Sequence, residues 1–276
     1  MSKKLFKKQF LAGPYLLWII GFTVLPLAMI LYYAFFNENG GFTLEFIANV
    51  ASPVNLKALL LSLELSFACT IVCLILAYPL ALILSNLQIK NQSTVVFIFM
   101  LPMWMNFMLR LLAWKLLLNK HGVLNTLLDT LGMGSINILN TPTAVVFGMV
   151  YEYLPFMILP IYNAMARIKK DYLEAAKDLG ANNFTILFKI ILPLTISGIV
   201  SGITMVFVPA LTAFAVSELL GGGKVLLIGN VIEESFMQGM QWNAGSGLSF
   251  VLMLFVFASM AITNIFDKDG EGTAVW

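Results

Sequence analysis

Six stretches of this sequence stay apolar for about twenty residues or more, the length an α-helix needs to cross a bilayer core of ~30 Å. They run Leu11–Phe36, Ala58–Ser85, Thr94–Trp114, Ala144–Ala164, Ile190–Ser217 and Leu248–Phe266. Lipid offers no partner for backbone N–H and C=O groups, so stretches of this kind must close their hydrogen bonds within a helix. Composition agrees. Hydrophobic residues make up 60% of the chain and charged ones 11%, whereas about 25% of a soluble chain is charged. A soluble domain of this length has too little interior for so much apolar surface. The expected fold is all-α: a bundle of six transmembrane helices forming one domain over residues 1–276, with lipid as its main partner. The first, second and fifth stretches exceed the bilayer and predict tilt or extension beyond it. Pro14, Pro26, Pro79, Pro102, Pro155, Pro160, Pro193 and Pro209 fall within or beside the stretches. The backbone groups they free must find neighbouring helices or water lining a path.

Positive charge orients the bundle. With the N-terminus in the cytoplasm, the inner segments carry Lys3, Lys4, Lys7, Lys8, Lys90, Arg167, Lys169, Lys170, Lys177, Lys189 and Lys268. The outer segments carry only Lys57, Lys115, Lys120 and Lys224, with Arg110 inside the third stretch. Both termini are therefore expected in the cytoplasm. The apolar stretch after Lys8 is much longer than the ~7–15 residues of a signal h-region, so no cleavable signal peptide is expected.

Several function classes fall away. A net charge of +2 gives no footprint for nucleic acid. The longest inner loop, Met165–Lys189, is too short to hold a motor domain, as are the outer loops Asn37–Lys57, Lys115–Thr143 and Glu218–Gly247. Gly221-Gly222-Gly223-Lys224-Val225 fails as a phosphate loop, which requires glycine at Glu218 and Ser or Thr at Val225. Cys69 and Cys73 stand four apart in one apolar stretch and read as small lipid- or helix-facing residues. His121 is the one histidine, and no further ligands accompany it to make a metal site.

The inner loop between the fourth and fifth stretches is the most informative segment. Tyr172, Ala175, Ala176 and Leu179 recur at helical spacing and form one stripe, with Asp171, Glu174, Lys177 and Asp178 on the other faces. Gly180 stands where a helix ends in the left-handed region. Asn182 or Asn183 is placed to cap a following helix that runs on through Pro193. The reading is a short amphipathic helix lying either on lipid or in the groove of a partner.

Glu174-Ala175-Ala176, three residues, Gly180, nine residues, Ile190, one residue and Leu192-Pro193 resembles the EAA-x3-G-x9-I-x-L-P signature of ABC importer permeases at every fixed position. Three further segments are similar to the spermidine/putrescine permeases of that group. These are Leu101–Arg110 in the third stretch, Leu154–Tyr162 in the fourth and Gly221–Ile232 in the last outer loop. The likeness extends from about Leu11 to about Phe266. It implies a type I importer permease in the bacterial cytoplasmic membrane, itself not an enzyme and binding no cofactor. Its partners would be a second permease subunit, two ATP-binding subunits that hold ATP and Mg, and an extracytoplasmic polyamine-binding protein. Tyr172, Glu174, Ala175, Ala176, Gly180, Leu192 and Pro193 would then couple the permease to the ATPase.

Three ionisable residues lie inside the stretches: Glu64, Arg110 and Glu152. Such groups are costly in lipid and usually functional. Glu64 and Arg110 are shallow on the expected topology. Glu152 is deeper, between Tyr151 and Tyr153, and Trp104 lies near mid-membrane on the third stretch. Carboxylate and aromatic faces together suit the ammonium groups and methylenes of a polyamine. The alternative is that Glu152 is the structural mate of Arg110. Glu218, Glu233 and Glu234 make the last outer loop acidic, and Val225, Ile228, Ile232 and Phe236 give it an interfacial helical pattern. An importer permease for another solute, such as ferric ion, sulfate or another organic cation, would share the signature loop. A secondary transporter would instead show repeats and a deep carboxylate relay, and an embedded enzyme a catalytic cluster.

Overall fold

The computed structural model describes residues 13–37, 39–86 and 98–266. Lys3, Lys4, Lys7, Lys8, Lys90, Lys268 and the beginnings of the first and third apolar stretches lie outside them. Among the described residues the regular structure is helical, apart from an isolated antiparallel bridge between Phe36 and Phe42. In chain order the helices are α1 (Gly13–Phe35), α2 (Pro53–Asn86), α3 (Phe107–Leu118), α4 (Val123–Thr130), α5 (Pro142–Ala166) and α6 (Lys170–Asp178). They continue with α7 (Asn183–Leu194), α8 (Ile196–Leu211), α9 (Phe214–Gly221), α10 (Ile228–Met237) and α11 (Trp242–Phe266).

Helices α1, α2 and α5, and α11 over Trp242–Thr263, are each long and apolar enough to cross a membrane. Two expected spans are not continuous. The sequence predicts one helix over Thr94–Trp114, but Ile98–Trp104 meets the helical segment beginning at Phe107 at 89°. Pro102 has no N–H to continue a helix and sits in a 3₁₀ turn, Leu101–Trp104. Asn106 then starts α3 afresh, its side chain accepting from the Leu109 N–H at 3.3 Å. A cap of this kind satisfies an N–H that lipid leaves bare. The expected Ile190–Ser217 span is likewise broken, with α7 and α8 at 64°. Pro193 removes the N–H that would bond to the Lys189 carbonyl. Thr195 repairs the junction, its hydroxyl donating to the carbonyls of Ile191 (2.9 Å) and Leu192 (3.1 Å). A second break after Leu211 separates α9. A π turn precedes the proline in both α1 and α7, over Ile20–Val24 ahead of Pro26 and over Leu187–Ile191 ahead of Pro193.

The described residues fall into two compact units. In the first, drawn from Met1–Leu56 and Val231–Phe255, Asn243 donates its side-chain amide to the carbonyls of Tyr33 (3.0 Å) and Phe36 (2.6 Å). Those carbonyls belong to the end of α1, where no later turn can satisfy them. Phe35 meets Phe250 edge to face at 5.0 Å.

The second unit, drawn from Lys57–Asn230 and Val256–Trp276, has a core that includes Leu111, Met149, Met157, Ile161, Val206 and Leu220. Its main contact is α5 against α8. Gly198 and Gly202 lie one turn apart on α8 and let the two backbones approach. A Cβ on Gly198 would sit 2.6 Å from the Ala164 Cβ and 2.7 Å from the Pro160 carbonyl oxygen. One on Gly202 would sit 2.7 Å from the Met157 sulfur. Small residues at this spacing are how helices associate in lipid, where burying apolar surface gains nothing. Gly198→Leu is expected to force α5 and α8 apart at about 1–3 kcal/mol, the usual cost of overpacking. Gly202→Ala should cost less, since its new methyl is smaller and its tightest contact is the flexible Met157 thioether, with the Met157 carbonyl oxygen next at 3.3 Å. Thermal unfolding of the detergent-solubilised protein checks the order, and equal effects would contradict this packing.

Candidate functional site

Two features stand out in the second unit. The first is the turn joining α5 to α8 through α6 and α7. Helix α6 forms where the stripe predicts it, and it ends in a Schellman turn. The Gly180 N–H bonds to the Lys177 carbonyl at 2.8 Å and the Ala181 N–H to the Ala176 carbonyl at 3.0 Å. Gly180 has φ +81°, and a Cβ there would meet nothing within 4 Å. Glycine is therefore required by backbone conformation and not by crowding. Of the two candidate caps, Asn182 is the one used, accepting from the Thr185 N–H at 2.7 Å.

The stripe on α6 divides. Ala176 is buried, whereas Tyr172, Glu174, Ala175 and Leu179 are exposed, Leu179 at 88%. Phe184 and Phe188 extend this apolar exposure along α7. Leu192 and Pro193 stand at the α7–α8 junction. A cavity of about 420 Å³ opens beside the turn, lined by Leu82, Asn86, Leu173, Lys177, Phe184 and Ile191. A projecting short helix with exposed aromatic and aliphatic side chains next to a groove is a surface for docking another protein.

The second feature is a buried ion pair. Arg110, on the first turn of α3, pairs through Nη2 with Oε1 of Glu152 on α5. Its Nη1 donates to the Pro102 carbonyl at 2.8 Å. Both side chains are about nine-tenths buried, at 6% and 11% exposure. Arg110 Nε and Glu152 Oε2 take no hydrogen bond among the described residues.

The remaining sequence-derived residues are dispersed. Glu64 is exposed on α2 and not part of the pair. Tyr153 donates its hydroxyl to the Pro209 carbonyl at 3.4 Å, serving a group on α8. Tyr151 stands edge to face with Trp114 at 5.2 Å. The two tyrosine rings beside Glu152 in sequence are thus anchored to other helices. Trp104 is 75% exposed in the turn before α3. Cys69 and Cys73 are buried, with the Cys73 sulfur 4.0 Å from the Val150 carbonyl, so they face a helix. Glu218 and Glu234 are exposed and Glu233 is half-buried. The Gly198/Gly202 pair and the Pro102 carbonyl were not singled out from sequence. The first carries a readable signal, small-x-x-x-small in an apolar stretch. The second carries none, because a backbone acceptor has no side-chain letter.

This architecture has known counterparts. A chain in the crystal structure of a bacterial alginate ABC transporter, in complex with alginate pentasaccharide-bound periplasmic protein, superposes with a TM-score of 0.81 at 17% identity. The match covers 96% of this chain and 95% of that one, and defines the fold as that of a type I ABC transporter permease. Residues 10–269 match the family described as binding-protein-dependent transport system inner membrane component, and the chain belongs to that family. It is a transport subunit of the inner membrane. It is 38% identical over 266 residues to the spermidine/putrescine transport system permease protein PotB of Haemophilus influenzae, across 92% of this chain and 93% of that protein. It is also 38% identical over 245 residues to PotB of Escherichia coli K12, across 86% and 89%.

Breaking one side of a buried ion pair leaves an uncompensated charge, typically at about 3–5 kcal/mol. Arg110→Ala is expected to lower the yield of monodisperse protein accordingly. Arg110→Gln combined with Glu152→Gln should recover most of it. An Arg110→Ala variant as stable as the parent would show that the pair does not hold α3 to α5.

Proposed function

We propose that this chain is half of the membrane pore of an ATP-driven importer of polyamines, with a cytoplasmic docking face at α6. The single observation that carries the coupling role is the α6–Gly180–α7 turn. It combines the signature spacing with an exposed stripe and a conformation only glycine takes readily. In this reading Tyr172, Glu174, Ala175 and Leu179 contact an ATP-binding subunit that holds ATP and Mg. Ala176, Gly180, Leu192 and Pro193 fix the angle at which that contact is presented. The importer comprises this permease, a second permease, two ATP-binding subunits and an extracytoplasmic binding protein. The polyamine assignment is supported by the PotB relatives, whose names state spermidine and putrescine.

The proposed orientation places both termini and α6 in the cytoplasm and the loop between α9 and α10 outside, with each bent pair, Ile98–Trp104 with the helix from Phe107 and α7 with α8, counted as one crossing. Lysine placement supports it, with Arg167, Lys169, Lys170 and Lys177 all around α6. An impermeant maleimide added to intact cells should label Lys224→Cys and spare Lys170→Cys, both exposed positions. Labelling at position 170 would overturn the orientation.

The transport reading is tested in cells deprived of other polyamine uptake and given the whole importer. Gly180→Val places a β-branched residue at positive φ, costing about 1–2 kcal/mol locally, and is expected to bring spermidine and putrescine uptake to background. Glu174→Arg should do the same by altering the docking charge. Both variants should reach the membrane in normal amount. Uptake at the parent rate in both would contradict coupling through α6.

A further inference from the structure

The Leu101–Trp104 turn lies at the 89° bend before α3. The Met105 N–H reaches the Pro102 carbonyl at 3.4 Å, a long contact. The firmer bond to that carbonyl comes from Arg110 Nη1 at 2.8 Å. The same guanidinium grips Glu152 through Nη2. One cation therefore links the turn to α5 through Glu152.

Glu152 has unused capacity. An ionised carboxylate accepts at about four lone-pair sites, yet Oε2 takes no hydrogen bond among the described residues although the side chain is only 11% exposed. A buried anionic oxygen of this kind asks for a donor that brings positive charge. The geometry points to a charge-exchange latch: an ammonium group of the cargo docks on Glu152 Oε2, displaces Arg110, and so releases the Leu101–Trp104 turn from α5. The inference rests on the polycationic cargo proposed above. No covalent bond changes, because one N⁺–H···O⁻ contact replaces another.

Electrostatics supplies the direction. Once an ammonium shares the carboxylate with Arg110, two positive charges lie close together in a poorly polarisable interior, where their repulsion far exceeds its value in water. The guanidinium can leave, since it is tied to a long flexible side chain, and it takes its grip on the Pro102 carbonyl with it. A neutral solute has no such effect. The latch thereby selects for cations at the moment of opening as well as at binding. A ligand shifts an equilibrium only through different affinities for its two states, and here the difference is access to Glu152 without a competing arginine.

The experiment uses the whole importer in proteoliposomes, with Cys69→Ala and Cys73→Ala so that Met105→Cys supplies the one reactive thiol of this chain. Met105 is 60% exposed beside the turn. Three quantities are read: assembled complex, spermidine uptake, and the rate of maleimide labelling at position 105. The charge swap Arg110→Glu with Glu152→Arg keeps an ion pair but presents arginine from α5. Assembly should be near normal, while uptake falls about 10- to 100-fold, the equivalent of one charge-assisted contact. In the parent, labelling should change when spermidine-loaded binding protein and ATP are added. In the swap it should not respond. Arg110→Gln should give the altered labelling with no cargo present.

Uptake at the parent rate in the swap would overturn the latch and leave the pair a structural bond; uptake at the parent rate in Glu152→Gln would overturn the latch outright. Labelling in Arg110→Gln equal to the resting parent would overturn it independently of cargo. If the parent importer ignores spermidine and putrescine altogether, the polyamine reading fails. The Arg110→Gln labelling result then still decides whether the turn is latched.

Discussion

The close approach of α8 to α5 is the contact on which the second unit depends. Because Gly198 and Gly202 have no side chains, the two helices meet at backbone distance. The turn with the exposed α6 lies between them in the chain, so it is the tip of a stiff hairpin. Glu152 is on the same α5, roughly 20 Å from that tip at ~1.5 Å per residue. A displacement applied at α6 is therefore delivered near the ion pair with little lost to slippage. Interiors packed at this density transmit strain and do not absorb it. Tyr153 strengthens the link by spanning from α5 to the Pro209 carbonyl.

The amphipathic turn was legible in its helix and its stop. Tyr172 to Leu179 supplied the period, Gly180 the stop and the Asn182–Asn183 pair the next start, with the choice of Asn182 made only in the structure. The long apolar stretches were equally readable where the helix is continuous, as in α2 and α5. The breaks at Met105–Asn106 and at Thr195 were not. Pro102 and Pro193 announced that hydrogen bonds would be missing, but proline in an apolar stretch is compatible with a kink, a π turn or a full stop. Which one forms depends on who repairs the backbone. Asn106 and Thr195 do so with short polar side chains whose role appears only in three dimensions. The pairing of Arg110 with Glu152 and not with Glu64 was open in the sequence for the same reason. It is decided by which face of α5 turns toward α3.

A buried ion pair is a poor choice for stability alone. Well-packed apolar residues of similar volume often serve as well or better, because desolvating two ions offsets much of their attraction. In lipid the cost is greater still. That Arg110 and Glu152 are nevertheless present, with a backbone carbonyl engaged and one carboxylate oxygen idle, fits a position where charge is used. The turn at α6 and the pair at Glu152 then divide the work. In the proposed reading, one receives force from a partner and the other meets the cargo. This division matches a chain that belongs to the inner-membrane components of binding-protein-dependent transport.

The central claim is that this chain supplies a path and a lever but no driving force. Flux measured in proteoliposomes tests it most directly, with the purified chain alone compared against the full importer containing binding protein and ATP. The account predicts that radiolabelled spermidine enters only with the full importer and stops when ATP is withdrawn. Accumulation of spermidine by the chain alone, without ATP or partners, would contradict it.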